Sequence, residues 1–397
     1  MGRGTLVGIC IDGCEPAYLE CASAGMPNLR AMADEGTRGL AQSVVPSFTN
    51  PNNVAIVTGT TPDVNGIPGN YFYDRETDRE VLMNDPAYLR APTLLAAASR
   101  AGYEVAAVTT KDKLRLFLAE GLEVGISFSV ECAHDATAAD NGIDDVLDLV
   151  GRGNPGIYDP EASVFCIEAG ARLLDHRELD LVYLSTTDFV QHKHAPGDEE
   201  ANHFYSRLDR FLGEIHRSGA VVGITADHGM NDKTRADGSP RVEFIETLLA
   251  GEGLSEARVI LPITDPYVVH HGALGSYATV YVHADHVDAA AALLRGVDGV
   301  EHVLTRAEAA AAYSLPPDRI GDLVVLSDRH TVLGRTPEWH DLSAVEIGLR
   351  SHGGLHETTV PMIFNRPLKP EFAERLAAGQ MRNFDLFHVL CNGVEAT

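Results

Sequence analysis

Three apolar runs in this 397-residue chain each lead to an Asp or a His, residue types that bind divalent metals. Thr5–Ile11 runs into Asp12, Leu181–Leu184 leads to Asp188 and His192, and Val221–Ile224 leads to Asp227-His228-Gly229. Runs of this length, bounded by polar residues, fit strands of a parallel sheet buried on both faces, and such sheets collect ligands beyond the carboxyl ends of their strands. Asp188 and His192 are four residues apart, so a helix starting beyond the strand puts both on one face. A further ligand comes from Arg350-Ser351-His352-Gly353-Gly354-Leu355-His356, where two histidines are available and the glycines let the backbone approach a crowded centre. Mixed imidazole and carboxylate donors favour zinc, iron or manganese over magnesium or calcium. Six such ligands suffice for two ions with open positions, and two ions about 4 Å apart clamp both sides of a phosphoryl transfer.

Thr49 is the candidate nucleophile, in Val45-Pro46-Ser47-Phe48-Thr49-Asn50-Pro51-Asn52-Asn53. Asn50 reads as a helix N-cap and Pro51 as the first helical residue, which puts Thr49 just before a helix N-terminus, where free N–H groups favour an anion. A threonine hydroxyl is a poor nucleophile at its free pKa, and metal coordination would activate it.

The elements that must position these groups alternate through residue 230. The pattern gives a helix over Met26–Glu35, a helix over Thr93–Ala101, a strand over Glu104–Thr109, a helix over Ala162–Leu174 and a helix over Asp198–His216. That alternation predicts an α/β fold with a doubly wound, mostly parallel sheet. From Asn231 to Val345 the units are shorter: strands at Tyr277–His283 and Leu323–Leu326, helices at Val287–Arg295 and around Ala309–Ala312. Residues 231–345 therefore read as an inserted α+β cap on a core made of 1–230 and 346–397, with Val360–Phe364 resuming a core strand. His270, His271, His330 and His340 lie in that insert and read more simply as surface or core histidines than as lid contacts.

With 45% hydrophobic residues the chain can bury a full core, and its formal net charge of −26 repels nucleic acid and acidic membranes. An anionic substrate would need local cations. Lys111 and Lys113 follow the strand ending at Thr109, and an extended chain would aim both to one side, where they could bind a carboxylate. Six cysteines form no C-x-x-C pair and read as reduced thiols, Cys10 and Cys14 as packing residues rather than ligands. No apolar run spans a bilayer and the N-terminus shows no secretory h-region, so the expectation is a soluble cytoplasmic protein, with homodimerisation left open.

The order Asp12, Thr49 before Asn-Pro, Asp188-x-x-x-His192, Asp227-His228-Gly229 and His352-Gly353 resembles the alkaline phosphatase superfamily, in particular its nucleotide pyrophosphatase/phosphodiesterase branch. The resemblance implies a Thr or Ser nucleophile and two metals, most simply zinc. By motif, Asp188, His192 and His352 hold one ion, while Asp12, Asp227 and His228 hold the other together with Thr49; the superfamily's late ligand precedes a glycine, which selects His352 over His356. Gly69–Asp74, Met83–Arg90 and Thr109–Leu114 are similar to the phosphonoacetate hydrolase family. That likeness implies a small anionic phosphonate as substrate, Asn70 as a donor to a phosphonate oxygen, Lys111 and Lys113 on the carboxylate, and carbon–phosphorus cleavage through a phosphothreonine. A phosphodiesterase or phosphomonoesterase on the same scaffold is the alternative.

Overall fold

The computed structural model describes residues 4–263, 272–342 and 348–395. Eleven strands carry the architecture: β1 (Leu6–Cys10), β2 (Thr37–Gln42), β3 (Val105–Thr109), β4 (Ile126–Ser129), β5 (Leu181–Ser185), β6 (Val221–Thr225), β7 (Arg258–Ile260), β8 (Tyr277–Tyr281), β9 (Val300–Thr305), β10 (Leu323–Ser327) and β11 (Thr359–Phe364). Seven of them form the main sheet in the order β2-β11-β6-β1-β5-β3-β4. The five strands from β6 to β4 in that order run parallel, and β11 is antiparallel to both its neighbours. The mostly parallel α/β sheet expected from the sequence is present.

Apolar residues on both faces of β1, β3, β5 and β6 make these strands almost wholly buried, as a sheet covered by helices on two sides requires. The covering helices start where the sequence offers starts. Glu161–His176 and Glu199–Arg217 follow the acidic and proline-rich segments before them, and Phe204, Leu208, Phe211, Leu212 and Ile215 bury the inner face of the second. Register decides what happens next. Cys10 pairs with Ser185 and with Thr225, and Ser185 pairs with Thr109, so four adjacent strands stop on one line. The residues that follow them, Asp12, Asp188, Asp227 and Lys111, share the ledge beyond that line.

Strands β7, β8, β10 and β9 form a separate four-stranded antiparallel sheet in that order. It has its own apolar cluster around Val259, Val280, Leu294 and Val325. A second cluster joins this sheet to the core: Phe48 from the Thr49 loop is fully buried with Val45, Ile263, Tyr277, Leu315 and Val324. Burial of Phe48 contributes on the order of 2–3 kcal/mol. The same contact fixes the backbone just before Thr49.

Two readings of local structure are corrected. The helix begins at Thr49, with Phe48 as its extended N-cap residue (φ −114°, ψ 156°), not with Asn50 as cap and Pro51 as first residue. Asn50 has left the capping role because its amide donates to Asn70 Oδ1, and Asn52 stitches the turn instead, accepting from Val44 N–H at 2.8 Å and donating to the Phe48 carbonyl at 3.0 Å. The chain also does not stay extended through Lys113: Lys111 precedes the helix Asp112–Ala119 and Lys113 lies in its first turn.

Candidate active site

Three imidazoles, three carboxylates and one hydroxyl converge beyond the aligned strand ends. Asp12, Asp227 and His228 are fully buried, and Asp188, His192 and His352 are nearly so. One ligand atom each from Asp12, Asp227 and His228 lies within 4.8 Å of the others, and the same holds for Asp188, His228 and His352. His192 joins through Asp188, its Nε2 2.9 Å from Oδ2, because the helix Phe189–Lys193 starts at Asp188 as the four-residue spacing requires. His352 Nε2 lies 3.6 Å from the same oxygen. The rings of His228 and His352 stack at 3.6 Å and 5°, so the two groups of ligands adjoin.

Each histidine is oriented by a backbone carbonyl. Nδ1–H of His192 donates to Arg350 O at 2.8 Å, that of His228 to Gly229 O at 2.9 Å, and that of His352 to Ser47 O at 2.8 Å. With each Nδ1 turned to a carbonyl, Nε2 is the ring atom left to face the cluster. Burial and the neighbouring His228 hold His352 well below the usual histidine range, so it remains a neutral donor. Three imidazoles and three aspartates in a dry cluster fit divalent cations of the zinc type.

The carboxylates are held as firmly. Asp227 Oδ1 accepts from Gly13 N–H at 3.1 Å and from its neighbour His228 N–H at 3.0 Å, while Oδ2 accepts from Asn53 Nδ2 at 3.1 Å. Asn53 has no choice of orientation, since its Oδ1 accepts from Tyr183 Oη and Ser185 Oγ, both at 2.7 Å. Gly13 adopts φ +69°, and a Cβ there would stand 2.9 Å from Asp188 Cβ. Gly353 is more demanding still: at φ +115° a Cβ would lie 2.2 Å from Phe48 Cε1. The glycine after His352 is what lets the Thr49 loop and the His352 loop touch.

Thr49 Oγ1 sits 3.3 Å from His228 Nε2 and 3.5 Å from both oxygens of Asp12. It opens onto a pocket of about 230 Å³ that also meets Asp188, His192 and His352. Lys111 and Lys113 both line it, as do Asn50, Asn70, Glu131, Ile157, Tyr158, Phe189 and Ile263. The two lysines converge because one precedes a helix and the other occupies its first turn, not because a strand continues. Lys111 Nζ lies 3.7 Å from Asp188 Oδ1. Burial works against its charge, and Asp188, Asp12 and Asp227 more than restore it, so Lys111 stays protonated. Lys113 is held below the usual lysine range by burial and by Lys111, with Glu131 opposing.

Asn70 lines the pocket with its donor already engaged: Nδ2 donates to Ile263 O at 2.5 Å and its Oδ1 accepts from Asn50. Its visible work is to hold Asn50. His356 lies outside the cluster, paired with Glu301 at 2.7 Å near the surface, which leaves His352 as the late histidine in the site. Cys10 and Cys14 are core residues, with burial pushing the Cys14 thiol up to about 12. His340 is buried with both ring nitrogens bonded, to Gly272 O and to Arg335 N–H, and His330 makes a local turn with Asp328; His270 and His271 lie outside the described residues. Sequence reading missed Asn53, Ser47, Tyr158, Phe189 and the Lys233–Glu357 pair. Only the run Asn50-Pro51-Asn52-Asn53 hinted at the first, by placing three amides in one helical turn beside a nucleophile.

No helix among the described residues is long and apolar enough to cross a membrane. Residues 6–356 match the type I phosphodiesterase / nucleotide pyrophosphatase family. The chain is similar to phosphonoacetate hydrolase from Sinorhizobium meliloti 1021, solved in complex with phosphonoformate and with phosphonoacetate. The two share 48% identity over 98% of this chain and 95% of that one, with a TM-score of 0.93. Murine ectonucleotide pyrophosphatase / phosphodiesterase 5 shares the fold, with a TM-score of 0.64 at 16% identity over 98% of this chain and 94% of that one. On the match along most of its length, the chain belongs to the type I phosphodiesterase / nucleotide pyrophosphatase family.

Proposed function

We propose that this protein hydrolyses the carbon–phosphorus bond of phosphonoacetate to acetate and phosphate, with Thr49 as nucleophile and two zinc ions as cofactors. The observation that carries the reading is the placing of Thr49 Oγ1 against His228 and Asp12 at one end of a small pocket that Lys111 and Lys113 also line. The substrate is taken from the relative at 48% identity, and a cavity of about 230 Å³ suits a small dianion or trianion better than a nucleotide. Asp188, His192 and His352 would hold one ion, and Asp12, Asp227, His228 and Thr49 the other. Bound there, the ions supply Lewis acidity at the phosphoryl oxygens and a lowered pKa for coordinated hydroxyl groups.

The chain's own residues account for the rest. Thr49 Oγ attacks phosphorus, the phosphorus–carbon bond breaks, and its electron pair passes to the methylene carbon and into the adjacent carboxylate. Asp12 and His228 hold Thr49 Oγ1 at the mouth of the pocket, and its hydroxyl proton passes to solvent water. Lys111 and Lys113 bind the carboxylate and stabilise the charge that grows on it as carbon departs, an interaction stronger in the transition state than in the ground state. The carbanion takes a proton from water to give acetate, and the hydroxide left behind is neutralised by the proton that Thr49 released. A second water then hydrolyses phosphothreonine, releasing phosphate and restoring the hydroxyl.

Residues 231–345 act as a cap, with Ile263 forming part of the pocket wall. The absence of a disulfide among the described residues suits a cytoplasmic setting. The decisive experiment measures phosphate and acetate release from phosphonoacetate, beside a phosphate diester and a monoester, on metal-stripped protein with zinc restored. Zinc-dependent cleavage of phosphonoacetate above both esters is the expected result. Preferential ester cleavage would remove the substrate assignment and keep the two-metal chemistry.

A further inference from the structure

Lys233 is fully buried and belongs to none of the groups above. Its ammonium donates to Ser276 Oγ at 2.8 Å, to Arg329 O at 2.8 Å and to Glu357 Oε1 at 3.0 Å, which uses all three of its protons. Glu357, also buried, passes these contacts on in two directions. Its carbonyl accepts from Gly229 N–H at 2.7 Å, directly after His228, and Oε1 accepts from Asn231 Nδ2 at 2.6 Å. Its Oε2 accepts from Gly354 N–H at 3.0 Å, two residues after His352. Ser276, on the other side of Lys233, gives its own N–H to the His352 carbonyl at 2.9 Å. One ion pair thus grips the segments that carry the two stacked rings, and those rings belong to different ions in the two-metal reading.

A buried ion pair is a weak source of stability, because apolar residues of similar volume often do as well. What it offers here is direction: three fixed bonds to three separate segments. We propose that the Lys233–Glu357 pair is a positioning device that sets the spacing of the two metal half-sites by locking the His228 and His352 segments together. The inference rests on the two-metal reading. Spacing matters because a two-ion clamp works only when the ions stand about 3.5–4 Å apart.

Lys233→Met keeps the length of the side chain and removes its charge. Stepwise zinc affinity, measured on the full-length protein by competition with a chromogenic chelator, should show one of the two ions weakened about tenfold or more. Turnover should fall about tenfold while KM for phosphonoacetate changes by less than about threefold, because the device touches no substrate. Glu357→Gln, of equal volume, should weaken the same ion and serves if Lys233→Met does not fold. Val280→Ala, in the core of the four-stranded sheet, lowers stability without touching the pair and should leave both zinc constants unchanged. Wild-type affinity for both ions in the brace variants would overturn the proposal. An equal loss in Val280→Ala would overturn it too, by making the effect one of global stability. A wild-type chain that binds fewer than two ions would overturn the two-metal reading and the brace with it.

Discussion

The two halves of the aspartate–histidine cluster differ in the charge that surrounds their acids. Asp12 and Asp227 share one imidazole, His228, at 3.2 and 3.9 Å. Asp188 faces His192, His352 and the ammonium of Lys111. Burial raises Asp12 well above the usual carboxylate range, with Asp188 and Asp227 adding to it, and burial pushes Asp227 up to about 6. Burial acts on Asp188 in the same sense, yet His192 and Lys111 outweigh it and hold that carboxyl well below the usual range. Equal burial thus gives opposite results according to the neighbours at hand. The first half is electrostatically incomplete until a cation arrives; the second is largely compensated by the chain itself.

Thr49 belongs to the incomplete half, and the largest losses are expected there. Thr49→Ala should lower turnover by about ten-thousand-fold, while Thr49→Ser should stay within about a hundredfold, since it keeps the hydroxyl. Rapid-quench trapping of phosphoprotein would be absent from the alanine variant; a phosphorylated alanine variant would place the nucleophile elsewhere. Asp227→Ala should reduce bound zinc from two ions to one and cut turnover by about a thousandfold. Metal content by atomic absorption distinguishes this from Asp188→Ala, which should release the other ion and leave the Thr49 side loaded.

Proton counting tests the charge difference directly. Asp227, pushed up to about 6 in the metal-free protein, is partly protonated near pH 6, Asp12 is raised in the same sense, and protons held there must leave for a cation to bind. Calorimetry of zinc binding in buffers of different ionisation enthalpy should therefore show more protons released at pH 6 than at pH 8. Equal release at both would mean that the acid-rich half is already ionised.

The substrate side should show smaller effects. Lys111→Met should lower kcat/KM for phosphonoacetate about tenfold or more, through kcat as well as KM, and leave a phosphate monoester without a carboxylate within about threefold. Lys113 gives the smallest and most pH-dependent effect. Its pKa is lowered, so it loses charge earlier on the alkaline side than an ordinary lysine, and KM should climb as pH rises through that range. Lys113→Met should flatten the climb, as read from initial-rate profiles between pH 7 and about pH 10.

The sequence made the main sheet and the convergence of the candidate ligands legible because both follow from simple rules. Strands buried on two faces must be apolar throughout, and a polar residue just past such a run must sit at the strand end. Asp12, Asp188 and Asp227 needed nothing more. The Thr49 helix was set two residues late because Asn50 satisfies the rule for a cap while tertiary contact, through Phe48 and Asn70, decides otherwise. Lys111 and Lys113 were brought to the pocket by a different geometry from the extended one expected, since a helix begins where the strand was read on. Lys233 was invisible: a lone lysine after Asn-Asp reads as solvated, and only the fold reveals that Glu357, 124 residues away, meets it.

The common line on which β1, β5, β6 and β3 end has a bearing on how such a protein can change. A single residue inserted between Thr5 and Asp12 would turn the side chains that follow it over to the other face and scatter the carboxylates. The pocket's outer wall is exempt from that rule. Ile157 and Tyr158 come from a loop, and Ile263 comes from the segment after β7, so both can be lengthened, shortened or exchanged without disturbing a ligand. Heritable variation is thereby channelled: the reaction is copied with the sheet, and new specificities are open to selection only at its margins.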